Sequence, residues 1–115
     1  MIHLGNLSAS SVFIFPFSTN DGDGGAVAPT VDGTISVYID ASSTPIVTGL
    51  TYSKSVNGVV GYNQLTIDMS DLEDYPPGHD YKFVLEGATI DGNTVNVVLC
   101  MCSIENHGIP LRITI

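Results

Sequence analysis

Residues 94–106, TVNVVLCMCSIEN, constrain the fold more than any other stretch, because apolar and small residues alternate through them almost without interruption. Successive side chains of an extended chain point to opposite faces. Val95, Val97, Leu99 and Met101 therefore share one side, and Val98, Cys100, Cys102 and Ile104 the other. A strand apolar on both faces belongs in the middle of a core, with Val97, Leu99 and Met101 expected among the most buried residues. Just ahead of it, Asp91-Gly92 is a dipeptide that two-residue hairpin turns favour, and Tyr81 to Leu85 supplies the partner run. The two runs are expected to pair antiparallel as the central hairpin.

The rest of the chain reads as strands wrapped onto that pair. Ser10 to Phe17, SSVFIFPF, is rich in aromatic and β-branched residues, and Pro16 near its end argues for an edge position or a strand terminus. The glycines of TNDGDGG, residues 19–25, mark a solvated loop. Asp21 and Asp23 resemble the start of a calcium loop, but no Glu stands at its twelfth position. Ile35, Val37 and Ile39 alternate against Ser36 and Tyr38 as in a half-buried strand. Ile46 to Ser53 gives another, with Leu50 and Tyr52 on one face. Asn57-Gly58 is a hairpin turn, and Val59 to Met69 returns with Leu65, Ile67 and Met69 inward. The segment 70–78, SDLEDYPPG, contains two prolines and is expected to form a single helical turn capped by Ser70, with Glu73 at the capping-box position. Gly108 and Pro110 then break the chain before LRITI.

Seven or eight strands, turn signals about every ten residues and no longer helical pattern point to an all-β fold, an immunoglobulin-like antiparallel β-sandwich. The 115 residues suffice for one core, so residues 1–115 are read as a single domain. Residues 109–115 are a candidate interaction strand, in which Leu111, Ile113 and Ile115 put three apolar side chains on one face.

Twelve acidic residues against Lys54, Lys82 and Arg112 give a formal charge of −9, which argues against a nucleic-acid partner and suits docking on a basic protein surface. No apolar run reaches the roughly 18 residues of a membrane helix, and the first 16 residues lack a signal-peptide pattern. The expectation is a protein made and kept in the cytosol, or in something assembled there, with no membrane partner. Cys100 and Cys102, two apart on one strand, cannot bridge without strain and are expected to be buried thiols. His3, His79 and His107 are scattered without ligand spacing, so no metal site is expected.

Catalysis finds little support. His79 and Asp80 form a close His–carboxylate pair beside a turn, but adjacent residues on an extended chain point apart. Burial would raise rather than lower the pKa of Cys100 and Cys102, so neither reads as a nucleophile. GDGG and GVVG precede no helix and carry no Lys, so no cofactor is expected. Tyr38, Tyr52, Tyr62, Tyr75 and Tyr81 could offer sugar-stacking faces, although their alternation with apolar residues suits core or sheet-face roles better. The residues thus favour a non-enzymatic protein, with a soluble lectin-like binding domain as an alternative.

Read together, GTISVYID at 33–40, STPIVTGLTY at 43–52, NGVVGYNQLTIDMSD at 57–71, GHDYKFVLEGATIDG at 78–92 and CSIENHG at 102–108 resemble a family of small bacteriophage-encoded β-sandwich proteins. The resemblance spans about residues 5–107 and lies in the order and spacing of the five motifs. It implies a virion structural component, assembled in the host cytoplasm and present as a homo-oligomer or in many copies. Its partners would be other virion proteins, the major capsid protein among them. Longer relatives continue past the SIEN strand into fibre-like sequence, whereas this chain ends at Ile115. The resemblance therefore implies a capsid decoration or cement protein first, and a neck, tail, fibre or baseplate adaptor second. Cys100 and Cys102 stand where such relatives have small or aliphatic residues.

Overall fold

The computed structural model describes residues 2–105. Seven strands follow one another: β1 Ile2–Leu7, β2 Val12–Ser18, β3 Thr34–Ile39, β4 Leu50–Ser53, β5 Tyr62–Asp68, β6 Asp80–Ile90 and β7 Asn93–Ile104. There is no α-helix among the described residues, and only a 3-10 turn at Val56–Gly58 leads from β4 to β5. Four strands form one sheet in the order β1-β7-β6-β3, and three form a second in the order β2-β5-β4. The fold is all-β, as expected. One pairing departs from the antiparallel expectation: β1 runs parallel to β7, because both strands enter the sheet from the same end. Residues 109–115 lie outside the described residues.

The two sheets face each other across one core. Phe15, Leu65 and Ile67 from the smaller sheet join Ile35, Val37, Tyr81, Phe83, Leu85, Cys100, Cys102 and Ile104 from the larger. Across the gap the rings of Phe13 and Phe83 meet edge to face, 6.5 Å between centroids at 88°. The edge position read from Pro16 holds, since among the described residues β2 pairs with β5 alone. The strand read over Ile46 to Ser53 is shorter. β4 begins at Leu50, and Ile46 instead exchanges both backbone hydrogen bonds with Val37, shielding the outer edge of β3. Gly49 is essential to that detour. Its φ is +73°, and a Cβ there would lie 2.0 Å from the Asp68 carbonyl oxygen.

The hairpin of β6 and β7 forms as expected, from Asp80 opposite Ser103 to Ile90 opposite Asn93. Asp91 and Gly92 take φ of +51° and +77°, the left-handed pair that a type I′ turn requires. The burial expected along β7 does not hold. Val97 is 41% exposed, Leu99 and Met101 are half-buried, and the fully buried residues are Cys100, Cys102 and Ile104. Two register shifts explain this. Phe83 faces Cys100 while Val84 faces Val98, so Leu99 is an extra residue in β7, and the side chains that point inward change from odd to even numbers there. In β6 the matching shift lies between Leu85 and Ala88, at Gly87 with φ +71°. Beyond the Leu99 bulge, Met101 lies opposite Lys82 and His3 on the outer face.

The segment between β5 and β6 makes one helical turn, with Tyr75 N donating to Asp71 O at 2.8 Å. Its cap is Asp71, whose Oδ1 accepts from Glu73 N at 3.0 Å, and not Ser70. Asp68 explains the difference, because its own Oδ1 already holds Ser70 N at 3.0 Å and so sets the turn one residue later. The turn delivers Tyr75 fully buried against Tyr81, 5.5 Å between ring centroids. The Tyr81 hydroxyl then donates to the Pro76 carbonyl, tying the start of β6 to the crossing between sheets.

Two stability outcomes follow from this packing. Leu65 is completely buried, so Leu65→Ala is expected to cost about 2–5 kcal/mol, and the half-buried Leu99→Ala distinctly less. Tyr81→Phe, which deletes only the tie to Pro76, is expected to cost roughly 1–2 kcal/mol. Urea unfolding of the three variants measures both, and equal losses for the two leucines would contradict the placement of the bulge.

Candidate docking cleft

The cleft begins with the bulge. Before Leu99, β7 points Val95 and Val97 toward the facing sheet, since Val95 lies opposite Ala88 and Val97 opposite the buried Leu85. Yet β1 covers β7 only from Cys100 to Ile104. Among the described residues no strand pairs with Asn93 to Leu99 on the side away from β6. The inward side chains of that half-strand consequently lie under an open flank. A cavity of about 360 Å³ results, with Phe17, Leu85, Ile90, Val95, Val97 and Leu99 as its apolar walls and Asn20, Asp21, Asp91 and Asn93 among its polar lining.

A buried polar network holds the wall that faces β7. Asn63, fully buried on β5, donates through Nδ2 to Thr19 Oγ1 at 3.2 Å. Thr19 Oγ1 donates to Val27 O at 2.6 Å, and Thr19 N to Gly61 O at 3.0 Å. Each buried polar atom of Thr19 thereby has a partner, which fixes where β2 ends. Beyond Thr19, Asp21 Oδ1 accepts from Asp23 N and Gly25 N, both at 2.9 Å, closing the loop on itself. This is the turn expected from TNDGDGG. Gly22 N reaches across to Asp91 Oδ2 at 3.3 Å and joins the loop to the hairpin turn at the end of the cleft.

A second polar cluster surrounds His79. Its partner is not the neighbouring Asp80 but Asp40, 2.6 Å from Nδ1 to Oδ2. Asp40 stands at a left-handed position at the end of β3, where its other oxygen accepts from Asp80 N at 2.9 Å. Nothing in local sequence spacing pairs residues 40 and 79, because β3 and β6 bring them together. The backbone amide of Asp80, then the His79 ring, hold the Asp40 carboxyl below its ordinary 3.8. Its contribution to stability is present above that ordinary value and lost as pH falls through the lowered one. Ser103 Oγ bonds Asp80 Oδ1 at 2.5 Å, so the hydroxyl is held by a carboxylate rather than placed against the imidazole. The cluster fastens the β3 end to the β6 start; a nucleophile next to a base is not formed.

The other residues singled out from sequence fall into place around these two features. Cys100 and Cys102 are buried on the core face. Tyr75 and Tyr81 are fully buried and present no stacking face, and the Tyr38 hydroxyl is held by Glu86 at 2.9 Å. No helix among the described residues is long and apolar enough to cross a membrane. Leu111, Ile113 and Ile115 lie outside the described residues. The cleft escaped the sequence reading because it depends on a bulge, and its one local signal was the apolar run that continues through Leu99 while the inward face changes.

Burial pushes the Cys100 thiol up to about 12 and the Cys102 thiol up to about 11, from an ordinary 9.0. Thiols raised in the folded state contribute stability that is complete below pH 9.0 and lost as pH rises toward those values. Cys100→Val with Cys102→Val is therefore expected to fold as wild type at neutral pH and to lose less stability above pH 9. Denaturant unfolding on either side of pH 9 measures this, and wild-type protein is expected to resist alkylation until unfolded. Stoichiometric alkylation of the folded chain would contradict the burial.

Compared with known proteins, the chain matches no family model, no curated protein and no solved structure.

Proposed function

We propose that the chain is a non-enzymatic bacteriophage virion protein, a decoration or cement protein that docks on a capsid shell through strand edges. The observation that carries the docking part is the half-strand Asn93 to Leu99, whose inward apolar side chains and outer backbone edge are both left open among the described residues. Such an edge is suited to pairing with another chain, because backbone groups supply affinity and the alternate side chains supply fit. The virion setting comes from the resemblance of the five sequence motifs. Neck, tail, fibre or baseplate adaptors use the same kind of contact and form the second reading.

We also infer an immunoglobulin-like sandwich. The orders β1-β7-β6-β3 and β2-β5-β4 support it, with β2, β5 and β4 forming one layer and β3, β6 and β7 the other. So does Tyr81, near the start of β6, whose hydroxyl reaches back to the backbone five residues upstream. A net charge of −9 favours a basic shell surface and long-range steering toward it. Repetition over a shell lets modest affinity per copy suffice.

Mass spectrometry of purified virions of the encoding phage is expected to find the chain in many copies per particle, and imaging to place it on the shell. Its absence from virions would overturn the proposal, and a location at the neck or tail would favour the second reading.

A further inference from the structure

We propose that the cleft beside Asn93 to Leu99 receives residues 109–115 of a second copy of this chain, added as a strand along the open edge of β7. The inference rests on the reading that this molecule docks through strands. Three features of the cleft match that segment. The first is periodicity: Val95, Val97 and Leu99 line the cleft at intervals of two, and Leu111, Ile113 and Ile115 recur at the same interval. An added strand puts alternate side chains on the face its neighbour uses, so three apolar residues fall in line with three.

Length is the second. The five residues Leu111 to Ile115 span about 14 Å when extended, within the roughly 20 Å from Asn93 to Leu99. Pro110, which lacks an amide hydrogen, falls at the start of that strand, where none is required. Charge is the third. All twelve acids of the chain lie at or before Glu105, and residues 106–115 carry Arg112 and His107 with no acid. The segment carries net positive charge in an acidic molecule, and it would meet a cleft lined by Asp21 and Asp91.

The donor is a second copy rather than the same chain because β7 leads away from the cleft. Glu105 N donates to Leu7 O at 2.8 Å, so the chain leaves past the far end of β1. Return to its own cleft would carry it back along the edge that β1 already occupies. Donor and acceptor are therefore different surfaces, and the contact is head to tail, which builds rings or rows rather than closing as a symmetric pair.

Head-to-tail pairing gives a decisive mixing test on the full-length chain. Wild type is expected to self-associate with rising concentration in sedimentation velocity. Val97→Asp spoils the acceptor at an exposed position, and Ile113→Asp spoils the donor. Each alone is expected to associate at least about tenfold more weakly than wild type. Mixed, they are expected to form a complex that stops at two chains, with the intact donor of Val97→Asp seated in the intact cleft of Ile113→Asp. A monomeric wild type, an Ile113→Asp chain that assembles as wild type does, or a mixture that stays monomeric overturns the inference. Circular dichroism keeps the Val97→Asp arm interpretable, and if that variant unfolds, the milder Val97→Thr takes its place. A wild type that stays monomeric in solution yet is found in virions overturns this inference alone and leaves the docking function standing.

Discussion

The structure turns on the register of one hairpin. With Leu85 opposite Val97, Phe83 opposite Cys100 and Tyr81 opposite Cys102, β6 keeps its odd-numbered residues inward over that stretch while β7 changes from odd to even. That change is possible only because Leu99 is an extra residue. Without it, Cys100, Cys102 and Ile104 would face outward and Met101 would enter the core, leaving Phe83 and Tyr81 with different neighbours. The packing of the larger sheet, and the place where β1 can pair, both follow from this one residue. A bulge also bends its strand, which separates the closed half of β7 from the open half.

The same register explains what the sequence showed and what it hid. TVNVVLCMCSIEN looks apolar on both faces because two one-sided half-strands are joined out of phase: Val95 and Val97 belong to one inward set, Cys100, Cys102 and Ile104 to the next. A strict period of two cannot distinguish that from a two-sided central strand. Strands, turns and core residues with an uninterrupted period were legible. Leu65, Ile67 and Met69 are all buried as their alternation requires, and Asp91-Gly92 adopts the turn its residue types favour. Contacts between distant segments were not legible. Asp40 with His79, Asn63 with Thr19 and β1 with β7 are products of topology, and no local pattern announces them.

Polar groups here hold turns and strand ends in place. Asp21, Asp68 and Asp71 each turn a carboxylate onto nearby backbone amides and fix a turn, while Asp40 accepts from Asp80 N and ties the end of β3 to the start of β6. With two lysines among the described residues, ion pairs are few, and Lys54 with Asp32 at 2.7 Å is an exposed one of small energetic weight. The fold relies on its apolar core and on side chain to backbone ties such as Tyr81 to Pro76. Such a molecule can keep a high net charge of one sign because little of its stability depends on opposite charges meeting.

An open flank is costly to a β protein unless something covers it. Inward-facing Val97 remains 41% exposed, and the adjoining backbone edge invites pairing with any extended chain. Asp21 and Asp91 along the cleft put negative charge there, which disfavours an acidic strand on the edge. Residues 106–115 are free of acid and carry Arg112, so they meet no such penalty. On the proposed pairing, the charge that keeps copies of the body apart favours a basic strand over an acidic one at the edge.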